Sequence, residues 1–327
     1  MKGFLGLDVG SVSTNLVFLN EDGSVREAVY LRTNGRPIPA VQKGLKEIQD
    51  RLPPKTVVRG VGATGSGRHL AGIIAGADVI KNEITSHAVA ASRLVPGVRT
   101  VLEIGGQDSK IIVLRDGIVA DFAMNTVCAA GTGSFLDQQA ARLNIPVESF
   151  GEQALKSSAP VRIAGRCAVF AESDMIHKQQ MGYDLPDILA GLCEALVRNY
   201  LNNVGKGKEL AGPVVFQGGV AANQGMKVAF ERALNTSVII PPHFDVMGAV
   251  GAAMLARDHA ARGVPTGFKG FGTAESDFRA GSFECDGCPN LCEVVEIRED
   301  GSVIARWGDR CGKWSTRVDR RRFSSLS

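Results

Sequence analysis

Seven cysteines are the side chains with the most chemistry to offer in this sequence, and they fall into distinct sets. Cys285, Cys288, Cys292 and Cys311 follow the pattern C-x2-C-x3-C-x18-C, with Gly287 and Pro289 supplying turns tight enough to bring thiolates onto one ion. Four thiolates suit a structural Zn²⁺ or an iron–sulfur cluster, and the spacing does not choose between them. Cys128 and Cys167 stand apart, each ahead of a helical pattern, at 133–143 and 168–180. Unpaired amides and the positive dipole end at a helix N-terminus favour a thiolate. The opposing reading makes both small buried apolar side chains. Cys193, inside the apolar run 189–196, reads as core.

A second kind of chemistry lies in glycine-rich turns beside carboxylates. The turn after Asp8 contains Gly10, Ser11, Val12, Ser13 and Thr14, and the turn after Glu103 contains Gly105, Gly106, Gln107, Asp108 and Lys110. Glycine amides approach phosphate oxygens, hydroxyls add donors, and carboxylates hold Mg²⁺ through water. Asp8 is the first candidate metal-side carboxylate, with Glu103 and Asp108 as its counterparts across a cleft. Gln107 or Asp108 is the candidate to orient an attacking water. A third turn, Gly218, Gly219 and Val220 followed by Asn223, can bracket an adenosine. Glu83 and His87, four apart on a helical pattern, read either as site residues or as a solvated or capping pair. No Gly-Lys-Ser/Thr follows a glycine run, and residues 60–65 lack dinucleotide-fold spacing, which disfavours Walker and dinucleotide sites.

These turns need rigid flanks. Strand-like runs at 4–8 and 15–20 flank the first; runs at 99–104 and 110–114 flank the second and lead to 118–122, so one hairpin scheme is used twice. Helical periodicity covers 38–52, 133–143, 168–180, 185–204 and 246–262, and further strands fall at 57–61 and 213–217. The expected division is a first lobe at 1–95 closed by the helix at 246–262, a second lobe at 96–262, a Gly/Ser/Thr/Phe linker at 263–284 and a cysteine module at 285–327. Within that module a hairpin at 293–310 carries Cys311 back to the other three. The 327 residues are 44% hydrophobic, with 37 basic against 34 acidic side chains, enough core for about two lobes and no broad nucleic-acid surface. Arg317, Arg320, Arg321 and Arg322 read as a solvated tail. Without an apolar run near the roughly 18 residues a span requires, and without a signal-peptide pattern, the expected setting is cytoplasmic, where cysteines stay thiols or ligands.

In this order the two hairpin turns, the third turn and the small-residue helix at 247–252 resemble the phosphate, adenosine and connecting elements of actin-like ATPases. More narrowly, residues 3 to about 258 resemble the BadF/BadG/BcrA/BcrD family, through Gly62-Ala63-Thr64-Gly65, Asn82-Glu83-Ile84-Thr85-Ser86-His87-Ala88, Ile104-Gly105-Gly106-Gln107-Asp108-Ser109-Lys110, Asn125-Thr126-Val127-Cys128-Ala129-Ala130-Gly131-Thr132-Gly133 and Gly165-Arg166-Cys167-Ala168-Val169-Phe170. The resemblance implies an α/β fold of the actin/Hsp70/acetate-kinase type, with two duplicated RNase H-like subdomains and an added C-terminal cysteine module. It adds Gly131, Thr132, Gly133 and Gly248 to the nucleotide contacts. Glu103 departs from the commoner Asp of the second phosphate element.

For function, the resemblance implies ATP/ADP and Mg²⁺ binding and a homodimer sharing one oxygen-sensitive [4Fe–4S] cluster through Cys128 and Cys167. ATP hydrolysis would drive low-potential electrons from a ferredoxin or flavodoxin to a 2-hydroxyacyl-CoA dehydratase-like or double-cubane-cluster partner. Two other readings stay open on the same fold, a small-molecule kinase and a non-redox nucleotide-gated regulator whose C-terminal cysteines hold zinc.

Overall fold

The first strand, Lys2–Val9 (β1), is apolar through its middle because neighbours cover both its faces. In the computed structural model, which describes residues 1–315, β1 pairs antiparallel with Ser13–Asn20 (β2), and β2 with Val25–Arg32 (β3). Pro37 starts the helix Pro37–Arg51 (α1), where its fixed φ suits the first turn. The stripe Val41, Leu45 and Ile48 is fully buried. Val57–Thr64 (β4) then lies parallel to β1, followed by Arg68–Ala75 (α2) and Val79–Ile80 (β5), giving the sheet order β3-β2-β1-β4-β5.

The chain leaves this unit within Glu83–Leu94 (α3), and His87–Met247 form a second unit. Thr100–Ile104 (β6), Ser109–Arg115 (β7) and Ile118–Asn125 (β8) repeat the hairpin and third strand. A long excursion follows through Gly133–Arg142 (α4), Val147–Ala154 (α5), Ala168–Gln180 (α6) and Leu185–Tyr200 (α7). The pattern read as one helix to Val204 is α-helical only to Tyr200 and closes as a π turn, Leu201–Gly205. Val214–Gln217 (β9) returns parallel to β6, and Gln224–Leu234 (α8) leads to Val238–Ile239 (β10). The sheet order β10-β9-β6-β7-β8 is the first sheet's connectivity repeated. Phe216 and Tyr200 pack edge-on against Phe230 in its core.

From Gly248 the chain belongs to the first unit again. Met247–Ala260 (α9) lies on the first sheet because Gly6 and Gly62 carry no side chain; a Cβ on either would strike the backbone of Ala249 or Ala252. The segment 263–284, linker-like in composition, runs through a 3₁₀ turn at Phe271–Glu275 and into Phe278–Glu284 (β11). Its sparse phenylalanines are anchors: Phe268 and Phe271 stack edge-on at 5.1 Å, Phe278 is buried in the first unit's core, and the Gln42 side chain of α1 donates to Ser276 O at 2.8 Å. Glu293–Glu299 (β12) and Ser302–Trp307 (β13) form the expected hairpin and complete a three-stranded sheet in the order β11-β12-β13. The arginines at 317 and 320–322 lie outside the described residues. Among those described, no helix is long and apolar enough to cross a membrane.

Candidate functional site

In the first unit the Asp8 carboxylate sits where β1 ends, in space left by two glycines. A Cβ on Gly65, whose φ is +88°, would come within 2.5 Å of Asp8 Oδ1, and one on Gly248 would strike Oδ2. Gly248 belongs to the first turn of α9, whose dipole favours the anion. Of the turn residues, Gly10 N–H is tied to Ser13 O at 2.9 Å, and Ser11 is exposed at the tip beside half-buried Val12 and Ser13. Thr14, expected as a donor to the ligand, is instead fully buried within β2 with its hydroxyl 2.9 Å from that of Thr33. The short turn leaves Gly10–Ser13 as the part facing solvent.

The second unit's turn is organised by charge. Lys110, nearly inaccessible on β7, places Nζ 2.9 Å from Glu103 Oε2 and 3.0 Å from Asp108 Oδ2. Two carboxylates around one ammonium leave a net negative group at the strand end. Lys110 and Glu103 are turned into this pair, while Asp108 is partly open and Gln107 exposed. Gly218, at φ +88°, lets the third turn lie against this strand end, since a Cβ there would fall 2.5 Å from Ile104 O and 2.8 Å from Glu103 Oε1. Gly219 and Val220 begin the 3₁₀ turn that follows, and Asn223 is the N-cap of α8, accepting from Met226 N at 3.1 Å. His87, also in this unit, lies 2.8 Å from Gln217 Nε2 through Nδ1. Burial, reinforced by the Lys110 charge, pulls its pKa down to about 3, so the ring is neutral.

The Gly131–Gly133 segment meets the same turn. Gly133 N–H donates to Gly105 O at 2.8 Å and Ser134 N–H to Gly106 O at 2.9 Å, so the start of α4 is fastened to the glycine pair. Thr132 is buried with its hydroxyl donating to Ala129 O. Cys128, a few residues upstream, does not cap α4 directly; a 3₁₀ turn, Ala129–Gly131, intervenes. Asn125 at the end of β8 folds the chain around it, accepting from Cys128 N–H at 2.9 Å and donating to Cys128 O at 2.8 Å. Cys167 is the N-cap of α6. Both thiols are free and half-buried, and both are flanked by exposed apolar side chains, Val127 beside one and Val169 with Phe170 beside the other. The buried Asn199 of α7 joins the two segments: its Nδ2 donates to Gly165 O at 2.7 Å and Arg166 O at 3.2 Å, and lies 4.0 Å from Cys128 Sγ. Asn125 enters the sequence only as the first residue of a family motif, and Asn199 stood out from no spacing; the signal available for Asn199 was the one side-chain amide of α7, a helix otherwise built of apolar and charged residues. Cys193 is core, as expected, its thiol pushed up to about 12 by burial.

Residues 5–256 match the model of the BadF/BadG/BcrA/BcrD ATPase family. This chain belongs to that family. It is 37% identical over 263 residues to the (R)-2-hydroxyglutaryl-CoA dehydratase activating ATPase of Acidaminococcus fermentans, an alignment spanning 79% of this chain and 98% of that protein. The structure of the family's (R)-2-hydroxyglutaryl-CoA dehydratase component A from Acidaminococcus fermentans superposes with a TM-score of 0.71 at 33% identity, over 80% of this chain and 100% of that one. The activator of the 2-hydroxyisocaproyl-CoA dehydratase from Clostridium difficile with bound ADPNP gives 0.72 at 31% identity, over 80% and 96%. The fold is thus the actin-like ATPase fold of these activators, with two sheets of like connectivity and a third, small C-terminal sheet.

The C-terminal cysteines fall beyond the family match. Cys285, Cys288 and Cys292 occupy the β11–β12 connection and Cys311 follows β13, so the four share one end of the small sheet. Cys285 is buried, and its thiol is drawn below the usual range by the Trp314 side chain and by Gly287 N–H, with Lys313 adding to the effect. Cys288 and Cys311 are exposed. Among the described residues, no three His, Cys, Asp or Glu side chains converge on a metal-sized point.

Proposed function

We propose that this chain is an ATP-dependent activator: it binds MgATP at its glycine-rich turns, pairs with a second copy of itself, and passes electrons to a 2-hydroxyacyl-CoA dehydratase-like or double-cubane-cluster partner. The observation that carries this reading is the joining of the Cys128 segment to the Gly105–Gly106 turn through Gly133 and Ser134, within one packed unit. A kinase of this fold has no use for a half-buried thiol on a segment fastened to its phosphate turn.

The donor chemistry fits a [4Fe–4S] cluster shared by two subunits. Each chain offers two free thiols on anchored segments, both edged by apolar side chains whose exposure suits a self-complementary surface. A cluster held by Cys128 and Cys167 of both copies supplies a one-electron carrier, tuned by hydrogen bonds to sulfur and by exposure. Toward the nucleotide, Asp8 in the first unit and Asp108 in the second are each a carboxylate that would hold Mg²⁺ through water, while the Gly106 amide and the Ser11 and Ser13 hydroxyls would donate to phosphate oxygens. Exposed Gln107 or Asp108 orients the attacking water, and Gly218–Val220 face the adenosine. The C-terminal thiols, all-sulfur and gathered at one sheet end, would hold Zn²⁺ or iron once exposed Cys288 and Cys311 turn inward.

Metal analysis of anaerobically purified protein tests the reading. About two irons per subunit, with matching sulfide, is expected in wild type beyond whatever iron the C-terminal thiols hold, and that share is lost in Cys128→Ala. Iron unchanged in that variant and in Cys167→Ala would overturn it.

A further inference from the structure

Adjacent residues of α7 reach the two halves of this apparatus. Asn199 is nearly inaccessible, and its amide nitrogen has only two hydrogens for three acceptors within reach: Gly165 O, Arg166 O and Cys128 Sγ. Its Oδ1 is held by Asn203 Nδ2 at 2.8 Å, which fixes which way the amide faces. Gly131 closes over it; a Cβ there would fall 2.8 Å from Asn199 Oδ1 and 3.1 Å from Asn125 Nδ2. The next residue, Tyr200, is fully buried, and its hydroxyl donates 2.6 Å to the carbonyl of Lys110, the residue whose ammonium holds Glu103 and Asp108.

We infer that Asn199 and Tyr200 are positioning residues: Asn199 sets the separation and orientation of the Cys128 and Cys167 segments, and Tyr200 ties that setting to the Lys110 end of the phosphate turn. Successive side chains on a helix point about 100° apart, so one rigid helix end serves two sites without either touching the other. A small shift of β7 moves the helix end, and with it the amide that spans both cysteine segments. The link to nucleotide rests on the activity proposed above; the clamp on the two cysteine segments does not.

The test uses the full chain, purified anaerobically, with Asn199→Ala, Asn199→Asp and Tyr200→Phe. In metal-free reduced protein, iodoacetamide alkylation of each cysteine is followed by peptide mass spectrometry, with exposed Cys288 as internal reference. Asn199→Ala is expected to change the Cys128 and Cys167 rates together, fivefold or more relative to Cys288; unchanged ratios would overturn the clamp. In iron-reconstituted protein, Asn199→Asp, which sets a carboxylate beside Cys128, is expected to lower the midpoint potential, whereas a purely structural Asn199 leaves it in place. MgADPNP is expected to alter the wild-type Cys128 rate at least threefold and Tyr200→Phe to abolish that response with nucleotide affinity kept within twofold; a response that survives in Tyr200→Phe overturns the link. Failure of wild type to bind nucleotide by calorimetry defeats the proposed activity and the Tyr200 link, while the alkylation ratios still decide the clamp.

Discussion

The two large sheets share one connectivity, yet they spend the crossover between their third and fourth strands differently. In the first unit residues 33–56 hold one helix, α1, whose apolar stripe covers the sheet. In the second unit residues 126–213 hold four helices, both anchored cysteines, and the Asn199–Tyr200 pair. The difference teaches that the shared hairpins need only one covering helix, while the one connection long enough to fold into a layer of its own is where both half-buried cysteines stand. The hairpins differ too. The first packs its helix α9 by the absence of side chains at Gly6 and Gly62, and the second is fixed by the buried Glu103–Lys110–Asp108 charges.

The steric half of this comparison predicts the largest effect. Gly62→Val puts a side chain into the backbone of α9 and should destabilise the first unit by about 3 kcal/mol or more, read as loss of its cooperative urea transition. A wild-type-like transition would mean that α9 does not rest on that glycine seam. The electrostatic half predicts that Lys110→Met leaves buried Glu103 without its counter-charge and costs about 3–5 kcal/mol. Urea titration would show the loss in the second unit, and a change below about 1 kcal/mol would break the contrast between the hairpins.

The effect that is smallest near neutral pH is on pH dependence, and its main source is His87 of the second unit. His87 takes up protons near pH 6.5 when unfolded but only near pH 3 when folded, so the unfolded state binds more protons between those values. Stability is fully present above pH 6.5 and falls on acidification by about 1.4 kcal/mol per pH unit toward pH 3. His87→Gln should flatten that acid limb, as measured by thermal melts from pH 7 to 4; an equally steep limb would place the ring outside the core.

Much of this was legible because local chemistry wrote it plainly. The paired glycine-rich turns, the strands around them, the family motifs and the core assignment of Cys193 all depend on short-range pattern. Residues 263–284 were harder: glycine is the commonest residue there, and three of the four phenylalanines act only through a core formed by distant residues. Thr14 reads as a phosphate donor because hydroxyls in such turns often are, but its partner Thr33 comes from the far side of β3, just past that strand's end. Lys110 and Glu103 stand on opposite sides of the turn in the sequence until antiparallel pairing of β6 with β7 sets them side by side.

The sequence by itself determined the family, the duplicated α/β scheme and the candidate thiols, because residue type and spacing along the chain fix propensity, periodicity and motif. Only the tertiary structure decided which side chains face the turns and which are consumed holding them. It also decided that one amide on α7 reaches both cysteine segments, since Cys128, Arg166 and Asn199 meet through packing across stretches of chain that local pattern does not span.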